Sequence, residues 1–136
     1  MFTDAYDVLI YENANDIIEK FKAFNANVVF GAETYCNPDR QKAYRFPKVN
    51  GMQKRFLNSG GYIGKLKNIF AIINHIIEKY KATDNESDQN NFQEVYLNVR
   101  LREKHRIKLD HNSTIFFNLY GAADDTEFHC MKGNLR

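Results

Sequence analysis

Asp4 and Asp7 stand three positions apart behind the apolar run Met1-Phe2-Thr3, and Val8-Leu9-Ile10 follows them. Two carboxylates so spaced at the end of a buried strand turn the same way in a tight bend. Such a pair suits a hard divalent cation, which takes oxygen ligands and keeps positions open for phosphate oxygens. Asp-x-x-Asp also arises by chance, and a strand-end turn with two solvated carboxylates is the competing reading.

Three further segments carry usable chemistry. Asn58-Ser59-Gly60-Gly61 follows the apolar pair Phe56-Leu57, and a glycine pair lets the backbone approach a ligand closely. Asp88-Gln89 offers a carboxylate and an amide to ligand hydroxyls, although a helix N-cap would also explain Asp88. Glu33 closes an apolar run and reads either as a ligand contact or as a surface carboxylate. Asp110-His111 has the look of a dyad, but a hydrogen-bonded structural histidine is the preferred reading. Cys36 and Cys130 make no disulfide framework. Cys36 has no base partner in the sequence, so no nucleophilic role is assigned to it.

The elements that must position these residues follow from periodicity. Val8-Leu9-Ile10 reads as a short strand. Ile17, Ile18, Phe21 and Phe24 recur at helical spacing with Asn15 as the N-cap. Val28-Val29-Phe30 reads as a second strand, parallel to the first after that crossover. Residues 31–54 show no period, carry Pro38 and Pro47, and read as a long loop. Phe56 to Ile63 reads as a strand interrupted at Gly60-Gly61. Ile69, Ile72, Ile73, Ile76, Ile77 and Tyr80 form a core-facing helical stripe. Residues 83–91 read as a polar loop ending at a helix that carries Phe92 and Val95. Ile107-Lys108-Leu109 and Ile115-Phe116-Phe117 read as strands. Strands alternating with helices give an α/β class, in which ligands sit at the carboxyl ends of strands. Asp4, Asp7, Glu33 and 58–61 are therefore expected on one edge of the sheet.

The chain has 136 residues, 43% of them apolar and 14% aromatic, enough for one small domain with a core. A formal net charge of +2 does not point to nucleic acid as the main partner. Basic residues bunch between Arg40 and Lys67, and a solvated surface is preferred to an anion patch. No stretch is long and apolar enough to span a bilayer, and Met1 running straight into the Asp4 motif gives no expectation of a signal peptide within this sequence.

The order acidic pair, Asn-Ser-Gly, Asp-Gln occurs in many nucleotide-sugar-dependent transferases of the GT-A type. More specifically, the chain resembles the glycosyltransferase domain of the procollagen lysyl hydroxylases. The residues that carry the resemblance are Phe2 to Val8, Val29 to Glu33, Lys54 to Gly64, Asp88-Gln89, Leu109 to His111 and Ile115 to Ala122. It implies a GT-A-like, Rossmann-like core over residues 1–136, truncated at both ends relative to the family. It further implies that Asp4 and Asp7 bind Mn²⁺ and that Tyr6, Glu33, Asn58, Ser59, Gly60 and Gly61 line the donor. Asp88 and Gln89 would lie on the catalytic face. The implied reaction transfers a sugar, glucose by expectation, from a UDP-sugar to galactosyl-hydroxylysine of a collagen-like polypeptide. The family setting would be the endoplasmic reticulum lumen.

The chain also departs from that family's pattern. Ser87 stands where relatives carry an aspartate implicated in catalysis, and Asn37 where relatives can carry a tryptophan. The family's glycine-rich segment with a third ligand, a histidine, is expected beyond residue 136. The alternative expectation is a non-enzymatic accessory or binding module. In either case the chain is expected to self-associate or to pair with a fuller chain.

Overall fold

All six residues of strand β2 (Val28–Glu33) are buried, and that places it in the middle of a sheet covered on both faces. The sheet has four strands in the order β1 (Phe2–Thr3), β3 (Phe56–Gly64), β2, β4 (Ile107–Asp110). β3 runs antiparallel to β1 and β2, while β2 and β4 are parallel. The computed structural model describes residues 1–5, 8–80 and 87–119, with the strand pairing of β5 (Cys130–Met131) and β6 (Asn134–Leu135). The fold is mixed α/β, as the strand and helix pattern of the sequence implies.

Side chains alternate across β2. Val28, Phe30 and Ala32 point into the larger core with Leu57, Tyr62, Ile72, Ile76, Phe92, Val95 and Leu109. Val29 and Ile63 enter a smaller cluster on the other face with Ile17, Phe21, Ile115 and Phe116. Each fully buried Val, Leu or Phe contributes about 1.5–3 kcal/mol of transfer free energy. Helices α2 (Leu66–Tyr80) and α3 (Asp88–Leu97) supply the larger core, and α1 (Ala14–Ala23) the smaller. Among the described residues no helix is long and apolar enough to cross a membrane.

Several sequence expectations require correction. Val8, Leu9 and Ile10 form no strand and are exposed. The place beside β3 is taken by Phe2–Thr3, and the Asp4 amide then donates to the Gly60 carbonyl at 2.9 Å. β1 is consequently an edge strand rather than a buried one. It does run in the same direction as β2, but β3 lies between them. The N-cap of α1 is Asn13, whose Oδ1 accepts from the amides of Asn15 and Asp16, both at 3.0 Å. The expected loop 31–54 keeps 31–33 in β2 and forms a 3₁₀ helix at Arg40–Arg45. Ile77 is 55% exposed and leaves the α2 stripe. α3 begins at Asp88 with Ser87 as its cap, so 88–91 are helical rather than loop. A short helix α4 (Val99–Lys104) has no counterpart in the expectations.

Ile115-Phe116-Phe117 is not a strand either. The Asp110 carboxylate accepts from the amides of Thr114 (2.8 Å), Ile115 (2.6 Å) and Phe116 (2.9 Å). Amides spent on a carboxylate are not available to a ladder.

His105 closes α4 and is buried, and its Nδ1 lies 3.3 Å from Asn68 Nδ2. With the amide as donor, that ring nitrogen is an acceptor and the imidazole is neutral. Burial, then the nearby charges of Lys104 and His75, push its pKa below the ordinary histidine value. The unfolded chain therefore binds this proton more readily than the folded one. Stability from this site is fully present above about pH 6.5 and declines as pH falls below it. Histidine ring resonances followed by NMR should show His105 titrating below that value. Titration at or above it would contradict the burial account.

Candidate functional site

β2 ends at Glu33, β3 carries Asn58 opposite Gly31, and the first turn of α3 carries Gln89. These three side chains meet. Gln89 Nε2 donates to Glu33 Oε1 at 2.8 Å, and Asn58 Nδ2 donates to Glu33 Oε2 at 3.3 Å. Glu33 is 3% exposed, so it is not a surface carboxylate. Burial raises its pKa, while the Asn58 and Gln89 amides oppose that rise.

Gln89 also organises backbone. Its Nε2 donates to the Asn37 carbonyl at 2.7 Å, and its Oε1 accepts from the Ser59 amide at 3.1 Å. One turn further along α3, the fully buried Gln93 donates to the same Asn37 carbonyl at 2.7 Å and to Leu57 O at 3.1 Å. Two glutamines four residues apart share one helical face, and here that face clamps the 37 loop to β3. Their i,i+4 spacing was the sequence signal for Gln93, which sequence reasoning missed. The Asn37 carbonyl carries no such signal.

The Ser59-Gly60-Gly61 segment bulges from β2. Register passes from Phe30↔Tyr62 directly to Gly31↔Asn58, leaving 59–61 without β2 partners. The glycine pair thus interrupts the ladder and not the strand. Gly60 N donates to Asn58 Oδ1 at 3.0 Å. A Cβ built on Gly60 would lie 2.7 Å from Asp4 Oδ2, so only glycine lets the Asp4 carboxylate sit this close.

Glu33, Asn58, Ser59, Gly60, Gln89 and Asp4 are therefore joined in one contiguous array. Asp88 touches that array at the Gln89 backbone and not through the side-chain network. It is exposed, and its Oδ1 accepts from the Gln89 amide at 2.7 Å. Tyr6 and Asp7 lie outside the described residues. Among the described residues no group of three His, Cys, Asp or Glu could hold a metal ion. Asp4 presents an exposed carboxylate over Gly60, a hard oxygen donor of the kind that suits a cation sharing its shell with water or phosphate.

Other candidates resolve as structure. His111 Nδ1 lies 2.8 Å from Lys54 O, a structural contact as expected. The Cys36 thiol is free and buried, donates to Asp39 O at 3.3 Å, and is pushed up by burial and by Asp39. Part of the basic stretch is tied down: Lys42 and Arg45 pair with Glu94, and Lys54 Nζ donates to Ser113 Oγ and Asn118 O.

A family model described as the PLOD GT domain matches residues 1–136 in full. The chain belongs to this family. The chain is 42% identical over 127 residues to a procollagen-lysine,2-oxoglutarate 5-dioxygenase of Drosophila melanogaster, covering 93% of the chain and 17% of that protein. It is 40% identical over all 136 residues to the human multifunctional procollagen lysine hydroxylase and glycosyltransferase LH3, covering 18% of its length. The chain thus spans less than a fifth of these relatives.

Proposed function

We propose that this chain forms the donor-binding part of a metal-dependent glycosyltransferase. The sugar, glucose, would pass from a UDP-sugar to galactosyl-hydroxylysine of a collagen-like polypeptide. The observation that carries the reading is the Glu33–Asn58–Gln89 network, which fixes the Ser59–Gly61 bulge beside the Asp4 carboxylate. The names of the relatives support the reaction class and the collagen setting.

In this reading Asp4 and Asp7 hold Mn²⁺, which supplies charge neutralisation for the departing diphosphate. The Ser59–Gly61 backbone lies against the donor sugar, with the Asp4 carboxylate over Gly60 and the Phe116 ring behind Gly61. Asn58 faces the sugar hydroxyls, and Glu33, buried behind it, orients its amide. Gln89 holds the bulge in place before the donor arrives, so little reorganisation is needed during transfer. Asp88, exposed at the start of α3, faces the sugar with its remaining oxygen. Tyr6 lies against the uracil or ribose.

A second reading, an accessory module, is favoured by Ser87. Where the resemblance implies a catalytic aspartate, Ser87 Oγ instead accepts from the Asn90 amide and caps α3. Transfer from UDP-glucose to galactosyl-hydroxylysine peptides separates the two. Measurable transfer that falls about tenfold in Asp88→Asn supports the enzyme. No transfer by the chain alone, together with a rise in the transfer catalysed by an added full-length relative, supports the accessory module.

A further inference from the structure

The Ser59–Gly61 bulge is held on one side by the Gln89 side chain of α3 and at its edge by the Asp4 amide. Glycines have a permissive backbone, and a glycine pair keeps one conformation only when its neighbours impose it. On the other face of the sheet that neighbour is Phe116. A Cβ built on Gly61 would come within 2.6 Å of Phe116 Cδ1 and 2.9 Å of Cε1, and one on Gly31 would lie 3.4 Å from Phe116 Cβ. The ring therefore covers Gly61, and the Phe116 Cβ lies over Gly31, at the point where the register breaks.

The ring is itself placed by a buried device. Asp110 is fully buried, and its two oxygens take the three consecutive amides of 114–116. Charge-assisted bonds to successive amides fix the chain direction there. Phe116 then enters the cluster of Val29 and Ile63. The chain of contact runs from Asp110 through Phe116 to Gly61, and from Gly60 to Asp4.

We propose that Phe116 is a positioning residue for the donor segment, its ring fixing the Ser59–Gly61 bulge in the form that receives the nucleotide sugar. The consequence for donor binding rests on the proposed function, and the effect on the bulge does not. Gly61 must be glycine because the ring occupies its Cβ position. Removing the ring frees the bulge, and restoring bulk with leucine restores it.

The test uses the 136-residue chain as parent, Phe116→Ala, Phe116→Leu, Gly61→Ala and the Gly61→Ala/Phe116→Ala pair. Amide hydrogen exchange at 59–61 is read without ligand, and UDP affinity is read with Mn²⁺. Phe116→Ala should speed exchange at 59–61 while β2 amides stay protected, and should weaken UDP binding about tenfold. Phe116→Leu should recover both, and Gly61→Ala should cost less stability in the Phe116→Ala background than in the parent. Parent-like exchange at 59–61 in Phe116→Ala would overturn the positioning role. Faster exchange with unchanged UDP affinity would overturn its bearing on the donor. A parent that binds no UDP would count against the proposed function, with the exchange result still deciding the positioning role.

Discussion

Asp110→Asn should lower the unfolding free energy by about 3 kcal/mol, the largest effect expected from a single change of one heavy atom in this chain. The carboxylate is fully buried, with one oxygen on the Thr114 amide and the other on those of Ile115 and Phe116. Asparagine keeps one acceptor and places an NH₂ group against at least one amide donor. Water cannot relieve the mismatch at a site with no exposure. Against a total stability of about 5–15 kcal/mol for a domain of this kind, the loss corresponds to a fall of about 10 °C in Tm. Asp88→Asn serves as the comparison, since Asp88 is exposed and an asparagine oxygen can still accept from the Gln89 amide. Its midpoint should stay near that of the parent. Equal midpoints for the two variants would mean that the 114–116 turn does not depend on the carboxylate.

That turn also shows where the sequence stops being legible. Ile115-Phe116-Phe117 has the composition of a strand, and nothing local reveals that its amides are claimed from five residues back. Val8-Leu9-Ile10 misleads in the same way: three apolar residues suggest a strand, but β3 has its partner in Phe2–Thr3. Strand pairing is a competition between segments, and composition reports only one competitor. Periodic elements were readable. Ile72 and Ile76 are buried as their spacing requires, and β2 lies at the centre as its β-branched run suggests. Cap positions shifted by one or two residues, Asn13 for Asn15 and Ser87 for Asp88, because adjacent residues were equally able to cap.

The candidate site was partly legible for a related reason. Glu33, Asn58 and Gln89 were each singled out by type, and the fold brings them into hydrogen-bonding distance. What type could not reveal was burial, which turns Glu33 from a surface carboxylate into the hub of the network. Nor could it reveal the packing of Phe116 on Gly61 across many residues of chain. Gln93, fully buried one turn after Gln89, was hidden because a glutamine inside a helix usually faces solvent.

In the proposed function the Asp4 carboxylate, set over Gly60, takes part in a divalent-cation-dependent site for a nucleoside diphosphate. A calorimetric titration of UDP into the chain, with and without Mn²⁺, tests it most directly when Asp4→Ala is run beside the parent. Asp4 is exposed, so its truncation leaves the core intact, and equal Tm values for the two proteins should document this. The account predicts binding by the parent only when Mn²⁺ is present, and at least about a tenfold weakening in Asp4→Ala, equivalent to about 1.4 kcal/mol. UDP binding of equal strength with and without Mn²⁺, or equal in parent and Asp4→Ala, would contradict it.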